Sequence, residues 1–115
     1  MAPLGELGEE RALEFLKEQG YRIIARNYRW RGGEIDIIAR DGGCLSFIEV
    51  KMRTDESFSP IEEALTLGKR KRLIRTARHY IARYRPTIDL RFDVVVIAGS
   101  EVRLYKDAFG VDDVC

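Results

Sequence analysis

The sequence predicts an α/β fold in which a mixed sheet lies between helices, in the order α-β-β-β-α-β-β. Three observations predict it. Two apolar, β-branched runs flank Asp41-Gly42-Gly43, which is a strong hairpin signal. A helical stretch separates the third strand from the fourth, and such a crossover implies a parallel pair with a right-handed connection. The apolar run at 90–98 has the length of a fully buried strand.

The chain of 115 residues predicts one domain, 1–115, whose last segment, 107–115, is loosely held. Apolar residues make up 45% and charged residues 34%, which is typical of a soluble globular protein. No run approaches membrane-spanning length and no charged-then-apolar leader precedes the fold, so no membrane association is expected. Cys44 and Cys115 have neither a disulfide framework nor zinc spacing, and the cytoplasm is the expected location.

The first helix is predicted over Gly5–Gln19, with Gly20 ending it. Three residues form its apolar stripe: Ala12, Leu13 and Leu16. Glu9 precedes them by three, four and seven residues, so it points along the same side. A carboxylate on a buried stripe needs a partner. One interpretation is a salt bridge or a first-turn acid favoured by the helix dipole. The other is that Glu9 reaches across to the hairpin.

The first strand, residues 21–30, ends in a mixture of an aromatic ring and cations: Arg29, Trp30 and Arg31. Such a group could stack on bases and contact phosphates of a nucleic acid. A tryptophan in this setting is more often a core or edge residue with arginines in solvent, and we favour that interpretation for Trp30.

The hairpin at 33–52 carries four charged residues within runs that are otherwise typical of a core. Side chains alternate between the faces of a strand. Glu34 and Asp36 therefore share one face of the first run, and the apolar residues take the other: Ile35, Ile37 and Ala39. Glu49 and Lys51 share a face of the second run, opposite Ile48 and Val50.

The turn sets the register between these charges. If Gly42-Gly43 is a two-residue turn, Asp41 pairs with Cys44, Asp36 lies opposite Glu49, and Glu34 lies opposite Lys51. Opposed side chains lie about 4.5–5.5 Å apart at Cβ, where like charges destabilise a sheet. A divalent cation between the carboxylates would compensate. A three-residue bulged loop would shift the register by one residue, and a structural ion pair on the sheet is the alternative to a site.

A helix start at Ser59-Pro60-Ile61-Glu62 predicts a short helix to Leu65, and Thr66-Leu67-Gly68 is expected to interrupt it. A second helix is predicted over Lys69–Tyr84. The segment 69–85 holds eight cations and no acid: Lys69, Arg70, Lys71, Arg72, Arg75, Arg78, Arg83 and Arg85. Such a stripe is the expected footprint of nucleic-acid binding. The alternative is pairing with the acidic first helix, but we favour binding because a solvated face usually mixes signs.

Strands at 90–98 and 101–106 complete the fold. Two acids stay open: Glu34 either belongs to a site or pairs with Lys51, and Asp93 either belongs to a site or pairs with an arginine.

Taken together, these residues suggest a family. An acid on one strand followed by Glu49-Val50-Lys51 on the next resembles the PD-(D/E)XK nuclease superfamily, with its restriction-endonuclease-like fold; Ile35-Asp36 stands where the superfamily name has Pro-Asp. The ordered set narrows the resemblance to the bacterial YraN-like family, itself similar to archaeal Holliday-junction resolvases. The set comprises Gly8-Glu9, Asn27, Gly33–Asp36, Phe47–Lys51, Lys69 and Arg91–Asp93.

The resemblance implies a metal-dependent phosphodiesterase site. Asp36, Glu49 and Glu9 match the metal-binding and catalytic acids, Lys51 matches the catalytic lysine, and the backbone carbonyl of Val50 matches a further metal ligand. Hard oxygen ligands suit Mg²⁺ or Mn²⁺ and not zinc. Six cations are the expected nucleic-acid contacts: Lys69, Arg70, Arg72, Arg75, Arg31 and Arg53.

The function expected from the sequence is therefore a metal-dependent endonuclease that hydrolyses DNA, with branched, Holliday-junction-like structures as the finer prediction. Junction cleavage needs two sites, so that activity would imply a homodimer. Two alternatives stay open. One is a nucleic-acid-binding module that keeps the fold without turnover, and the other is a scaffold that uses the basic helix to hold an acidic protein partner.

Overall fold

The computed structural model describes residues 4–53 and 65–110, and its elements follow the predicted order. Two helices are described, α1 (Leu4–Glu18) and α2 (Leu67–Tyr84). One sheet holds five strands in sequential order: β1 (Arg22–Trp30), β2 (Gly33–Asp41), β3 (Cys44–Arg53), β4 (Asp89–Ala98) and β5 (Glu101–Phe109). The predicted α/β class and element order are confirmed. The short helix predicted from Ser59 falls almost wholly outside the described residues.

The sheet is mixed, as the crossover predicted. β3 and β4 are parallel over their whole length, from Cys44 opposite Asp89 to Arg53 opposite Ala98. The other three neighbouring pairs are antiparallel. β3 is thus central, with β2 on one side and β4 on the other, and this position gives its side chains access to both halves of the sheet.

Each face of the sheet is covered by one helix. On one face the predicted stripe of α1 is buried against Ile37, Ile48 and Val95. On the other, α2 buries four apolar side chains against Phe47 and Phe92: Leu73, Ile74, Ala77 and Tyr80. Burial of each large apolar side chain stabilises the fold by about 1.5–3 kcal/mol, so the two cores hold both helices on the sheet.

The helix ends explain where the predicted boundaries shift. Gly20 ends α1 in the left-handed region (φ 92°), and the Tyr21 N–H donates to the Leu16 carbonyl at 2.9 Å. α2 begins before the predicted Lys69 because Thr66 caps it, its hydroxyl accepting from the Lys69 N–H. Thr66 is non-helical, and Leu67 and Gly68 form the first turn of this helix, so the predicted break ends at Thr66. No helix within the described ranges is long and apolar enough to cross a membrane.

The last strand is longer than predicted. β5 continues to Phe109, which is 4% exposed, and its ring stacks on Phe92 with centroids 4.7 Å apart. The first three residues of the segment 107–115 thus belong to the sheet. Residues 111–115 lie outside the described residues.

Candidate metal centre and nucleic-acid interface

The predicted turn and register of the hairpin hold, but only over part of its length. Asp41 pairs with Cys44, and the ladder continues in that register to Ile37 opposite Ile48. The next step, Asp36 opposite Glu49, is not a ladder pair. Instead the Asp36 carboxylate accepts the Val50 N–H at 2.8 Å. The β2–β3 ladder therefore ends before Asp36, and the side chain of Asp36 bonds to the backbone of β3 in place of a ladder pair.

The face alternation predicted for β2 is wrong at Ile35. Ile37 and Ala39 pack on the α1 side, whereas Ile35 packs with Ile38 on the α2 side. Asn27 lies next to this break, between the ladder pairs that flank Asp36, and has a left-handed backbone (φ 52°). Asparagine tolerates that region better than most residues. The irregular backbone of β1 thus lies beside the part of β2 that carries the clustered acids, Glu34 and Asp36.

Three carboxylates from two elements converge beside Asn27. Single oxygens of Glu9, Glu34 and Asp36 all lie within 4.8 Å of one another. The Asn27 amide donates to Glu9 Oε1 at 2.7 Å and to Glu34 Oε1 at 2.9 Å. Glu9 therefore does reach the hairpin, as one of its two interpretations held. The side-chain amide supplies two donors to a cluster that is otherwise made of acceptors only.

Of the two interpretations left open for Glu34, the pairing with Lys51 is wrong. Glu34 accepts from Asn27 and forms a loose ion pair with Arg29 at 3.5 Å, while the β2–β3 ladder ends before their predicted step. Glu34 belongs to the acidic cluster, and this placement was open in the sequence.

Close backbone approaches hold both helices near these acids. A Cβ on Gly8 would overlap the Met52 sulfur, so the missing side chain lets α1 rest on β3 beside Glu9. A Cβ on Gly33 would overlap the Thr76 hydroxyl and lie 3.3 Å from the Arg72 carbonyl. Glycine at these two positions therefore brings α1 and α2 against the hairpin from opposite faces.

The pKa of Asp36 is raised to about 8. Burial is the largest cause, and the negative charges of Glu49, Glu9 and Glu34 contribute to the same rise. The hydrogen bond from the Val50 N–H acts in the opposite direction but does not offset the other effects. Near neutral pH the carboxyl of Asp36 therefore favours its protonated form, because burial and the neighbouring acids both disfavour its charge. A carboxyl in this state is typical of a site that a cation would complete.

Glu49 has a cationic partner that the sequence did not predict. Its side chain is 8% exposed and forms an ion pair with Lys69 at 2.6 Å. Lys69 is the predicted nucleic-acid contact at the start of α2. Glu49 and Lys69 line one cleft of about 240 Å³, together with Glu34 and Asp36 of β2 and Arg72 of α2.

Lys51 shares a face with Glu49, as predicted, because Ile48 and Val50 pack on the α1 side and Phe47 on the α2 side. No ion pair or hydrogen bond joins the Lys51 ammonium to another residue in the described ranges. The side chain of Lys51 is half-buried. The catalytic role predicted for Lys51 and the metal-ligand role predicted for the Val50 carbonyl stay predictions.

The other predicted phosphate contacts are five arginines. Arg31, Arg72 and Arg75 are exposed. Arg53 and Arg70 each have a buried Nε without a hydrogen-bond partner in the described part of the chain. These five arginines and Lys69 come from the β1–β2 turn, the end of β3 and the start of α2. Of these six cations, Lys69 and Arg72 line the cleft.

Asp93 does not belong to the cleft. It is 1% exposed and accepts from Ser46, Tyr21 and Arg91 and from the Asp107 N–H, at 2.6 to 2.9 Å. Burial alone would raise the pKa of Asp93, but these donors hold it below its usual range. The pairing of Asp93 with an arginine, one of its two interpretations, is confirmed.

The model of the Uncharacterised protein family UPF0102 matches residues 8–97. A UPF0102 protein of Symbiobacterium thermophilum is 52% identical over 112 residues, which cover 92% of this chain and 95% of the relative. A UPF0102 protein of Lachnoclostridium phytofermentans is 50% identical over 103 residues, 88% of this chain and 87% of the relative. The chain belongs to the UPF0102 family. This confirms the YraN-like resemblance that the sequence suggested.

Every predicted site residue of this UPF0102 protein lies within the segment that matches the family model. The structure adds two features that the sequence prediction missed. Asn27 was part of the resemblance, but its role as a donor to two acids needed the fold. The ion pair between Glu49 and Lys69 joins residues 20 positions apart, and only the packing of α2 reveals it.

Proposed function

We propose that this UPF0102 protein is a metal-dependent endonuclease that hydrolyses DNA phosphodiester bonds. The observation that carries the proposal is the carboxylate cluster. Oxygens of Glu9, Glu34 and Asp36 lie within 4.8 Å of one another, and Glu34, Asp36 and Glu49 line one cleft. Burial, together with the charges of Glu49, Glu9 and Glu34, raises the pKa of Asp36 to about 8. Purely structural acids are usually paired with cations, as Asp93 is with Arg91.

The donors fit Mg²⁺ or Mn²⁺. Carboxylate oxygens are hard ligands, and the described residues of the cleft include neither cysteine nor histidine. Asp36, Glu49 and Glu9 would hold the ion, with the Val50 carbonyl as a further ligand. Glu34, with an oxygen within 4.8 Å of oxygens of Glu9 and Asp36, would be available as well. A divalent ion in this position would supply an activated water and neutralise charge on the phosphate. Asn27 would keep Glu9 and Glu34 oriented toward the cleft.

The cations would have separate roles in DNA binding and in catalysis. Lys51 carries a positive charge on the face that Glu49 occupies, where an ammonium stabilises the charge that develops on a phosphate under attack. Lys69 would exchange its partner, leaving Glu49 for a phosphate oxygen once the acid binds a metal. Arg72 lines the same cleft and would fix the DNA backbone.

Cleavage of labelled DNA tests this proposal. Linear duplex, flap and four-way-junction substrates are incubated with the full chain in Mg²⁺ or Mn²⁺. We expect metal-dependent product, with rates at least 100-fold lower for Asp36→Asn and Lys51→Ala, in line with the loss of one stabilising group. Glu10→Gln is the matched control, since Glu10 is an exposed acid of α1 that pairs with Arg26 outside the cleft. No product from any substrate, or equal rates in all variants, would contradict the proposal.

Branched DNA is the finer part of the proposal. Symmetric cleavage of a junction needs two sites, so a junction preference would require a homodimer. Sedimentation of the protein with and without junction DNA, together with the substrate ranking above, tests it. A monomer that cleaves linear duplex as fast as junctions would contradict the branched-DNA preference and leave the nuclease proposal intact.

One observation favours a second candidate, a nucleic-acid-binding module without turnover. The 2.6 Å pair of Lys69 with Glu49 neutralises one expected metal ligand internally. A binding module predicts DNA affinity that does not change with Mg²⁺ and no metal-dependent product. The Lys69→Met variant separates the two. A nuclease would bind Mn²⁺ more tightly without the competing ammonium, whereas a binding module would only lose affinity for DNA.

A further inference from the structure

A second groove lies beside the acidic cleft, at the turn between β1 and β2. It encloses about 360 Å³ and is lined by six consecutive residues, Arg29–Glu34. Three of them, Gly32, Gly33 and Glu34, also line the acidic cleft. The two depressions are therefore adjacent, so neighbouring nucleotides of one strand could occupy both.

The groove contains an ordered aromatic stack. The indole of Trp30 lies on the His79 ring of α2, with centroids 4.7 Å apart and planes 16° from parallel. Tyr28 fixes His79 through a 2.7 Å hydrogen bond between its hydroxyl and Nδ1. Two neighbours therefore hold the orientation of the rings, and little side-chain entropy remains to be lost when a ligand stacks there.

Arg31 completes the stack from the turn. Its guanidinium lies 4.9 Å from the Trp30 ring centroid. The two central turn residues, Arg31 and Gly32, both have positive φ, at 44° and 80°. Such turns favour asparagine, aspartate or glycine, so an arginine there is strained and its identity is not explained by turn geometry. The arginine instead presents a planar cation beside the groove.

We propose that this groove is a subsite for an unpaired nucleotide of the nucleic acid whose backbone occupies the acidic cleft. Unpaired bases stack on aromatic rings and on guanidinium planes, while their phosphates contact cations. Arg29 and Arg31 supply the cations and the Arg31–Trp30–His79 stack supplies the planar surface. A paired base is already stacked within its duplex, so the subsite would select single-stranded flanks. This inference rests on the proposed function and specifies its substrate.

Intrinsic fluorescence provides the test because Trp30 is the single tryptophan of the chain. The full chain is titrated in metal-free buffer, where no cleavage occurs, with an oligothymidine of about eight nucleotides, a length within common single-strand site sizes. A strand of equal length made of abasic deoxyribose phosphates is the matched probe. We expect saturable quenching by oligothymidine and none by the abasic strand.

Arg31→Lys separates stacking from charge, since lysine keeps the cation and loses the plane. We expect its affinity for oligothymidine to fall about tenfold, as for loss of one base stack, and its affinity for blunt duplex to change less than about twofold. Arg22→Lys, an exposed arginine at the other end of β1, is the control and should leave both unchanged.

Two results would overturn the subsite: equal quenching by the abasic strand, or an unchanged affinity of Arg31→Lys for oligothymidine. Either can occur while metal-dependent cleavage persists, and the nuclease proposal would then stand. Conversely, base-dependent quenching without metal-dependent product would retain the subsite as a binding feature and contradict the nuclease proposal alone.

Discussion

Asp36 combines three conditions that a stable fold alone does not require. It is at the point where two strands separate, it is largely removed from water, and its nearest charges are negative. Among the described residues, the Val50 N–H is its one hydrogen-bond donor. Burial and the negative charges make ionisation of Asp36 unfavourable. The residue therefore destabilises the metal-free protein as the pH rises.

The sign of this effect gives a prediction for stability. The pKa of Asp36 rises from 3.8 to about 8 on folding, so its stabilising contribution is fully present below pH 3.8 and is lost as the pH rises toward 8. We expect Asp36→Asn to equal the wild type in stability near pH 4. Near pH 8 it should exceed the wild type by at least about 1 kcal/mol, the value of one pKa unit. Urea unfolding at both pH values measures the difference.

Glu10→Gln serves as the control, because Glu10 is an exposed acid of α1 that pairs with the exposed Arg26. Its stability difference from the wild type should not grow between the two pH values. A difference for Asp36→Asn that stays constant with pH would show that Asp36 ionises normally, and the explanation of the cluster by mutual repulsion would then fail.

At the scale of elements, α2 owes its position to a glycine on the neighbouring strand. The Gly33 backbone lies against Thr76 and Arg72 of the helix, which leaves no room for a methyl group. We expect Gly33→Ala to destabilise the fold by about 1–3 kcal/mol, as overpacking does, and to weaken binding of metal and DNA together because the cleft wall moves.

Gly43→Ala is the matched control for that substitution. Its added Cβ would meet no atom within 4 Å, and Gly43 is outside the positive-φ region. Thermal unfolding and DNA binding should be close to those of the wild type. Equal behaviour of the two alanine variants would contradict the close approach of β2 and α2.

A second set of contacts that holds the elements together is the network around Asp93. It joins β4 to the end of α1, the β2–β3 turn and β5. Arg91 also pairs with Asp41 at 2.7 Å. Asp93→Ala removes the acid and leaves the half-buried Arg91 and the buried Tyr21 short of a partner, so we expect a loss of about 3–5 kcal/mol. Glu10→Ala, which breaks a surface pair, should lose less than about 1 kcal/mol. A loss below 1 kcal/mol for Asp93→Ala in denaturant titration would contradict this role.

The sequence predicted elements better than it predicted the geometry between them. Alternation, turn chemistry and the helical crossover were sufficient to predict the order of elements along the chain, the parallel pair and the register near Gly42-Gly43. They failed at Asp36 because Asn27 adopts a left-handed backbone and β2 leaves β3, and local pattern carries no signal for either event. The contact between Glu49 and Lys69 depends on where a helix docks, so it is a tertiary property.

For the whole molecule, a net charge of +1 conceals a separation of charge. Glu34, Asp36 and Glu49 line the cleft together with Lys69 and Arg72, and α2 carries further exposed arginines. Under the proposed function the acids would attract a divalent cation and the arginines a polyanion. We expect DNA binding to weaken steeply with salt. Arg72→Gln and Arg75→Gln should each reduce the slope of log K against log salt by about one, as for loss of one phosphate contact.

Arg22→Gln removes an equal charge at an exposed position of β1, away from the cleft, and should leave the slope unchanged. Fluorescence anisotropy across a salt series measures all three variants. Identical slopes for the three would mean that α2 does not contact the DNA backbone.

The most direct test of the metal site is anomalous diffraction from crystals soaked in Mn²⁺ near pH 8, where about half of Asp36 is ionised. We expect one Mn²⁺ peak or more within bonding distance of Asp36 and Glu49, the Lys69 ammonium withdrawn from Glu49, and no peak in Asp36→Asn crystals. An empty cleft at saturating Mn²⁺, with the Lys69–Glu49 pair retained, would contradict the claim that these acids form a metal centre.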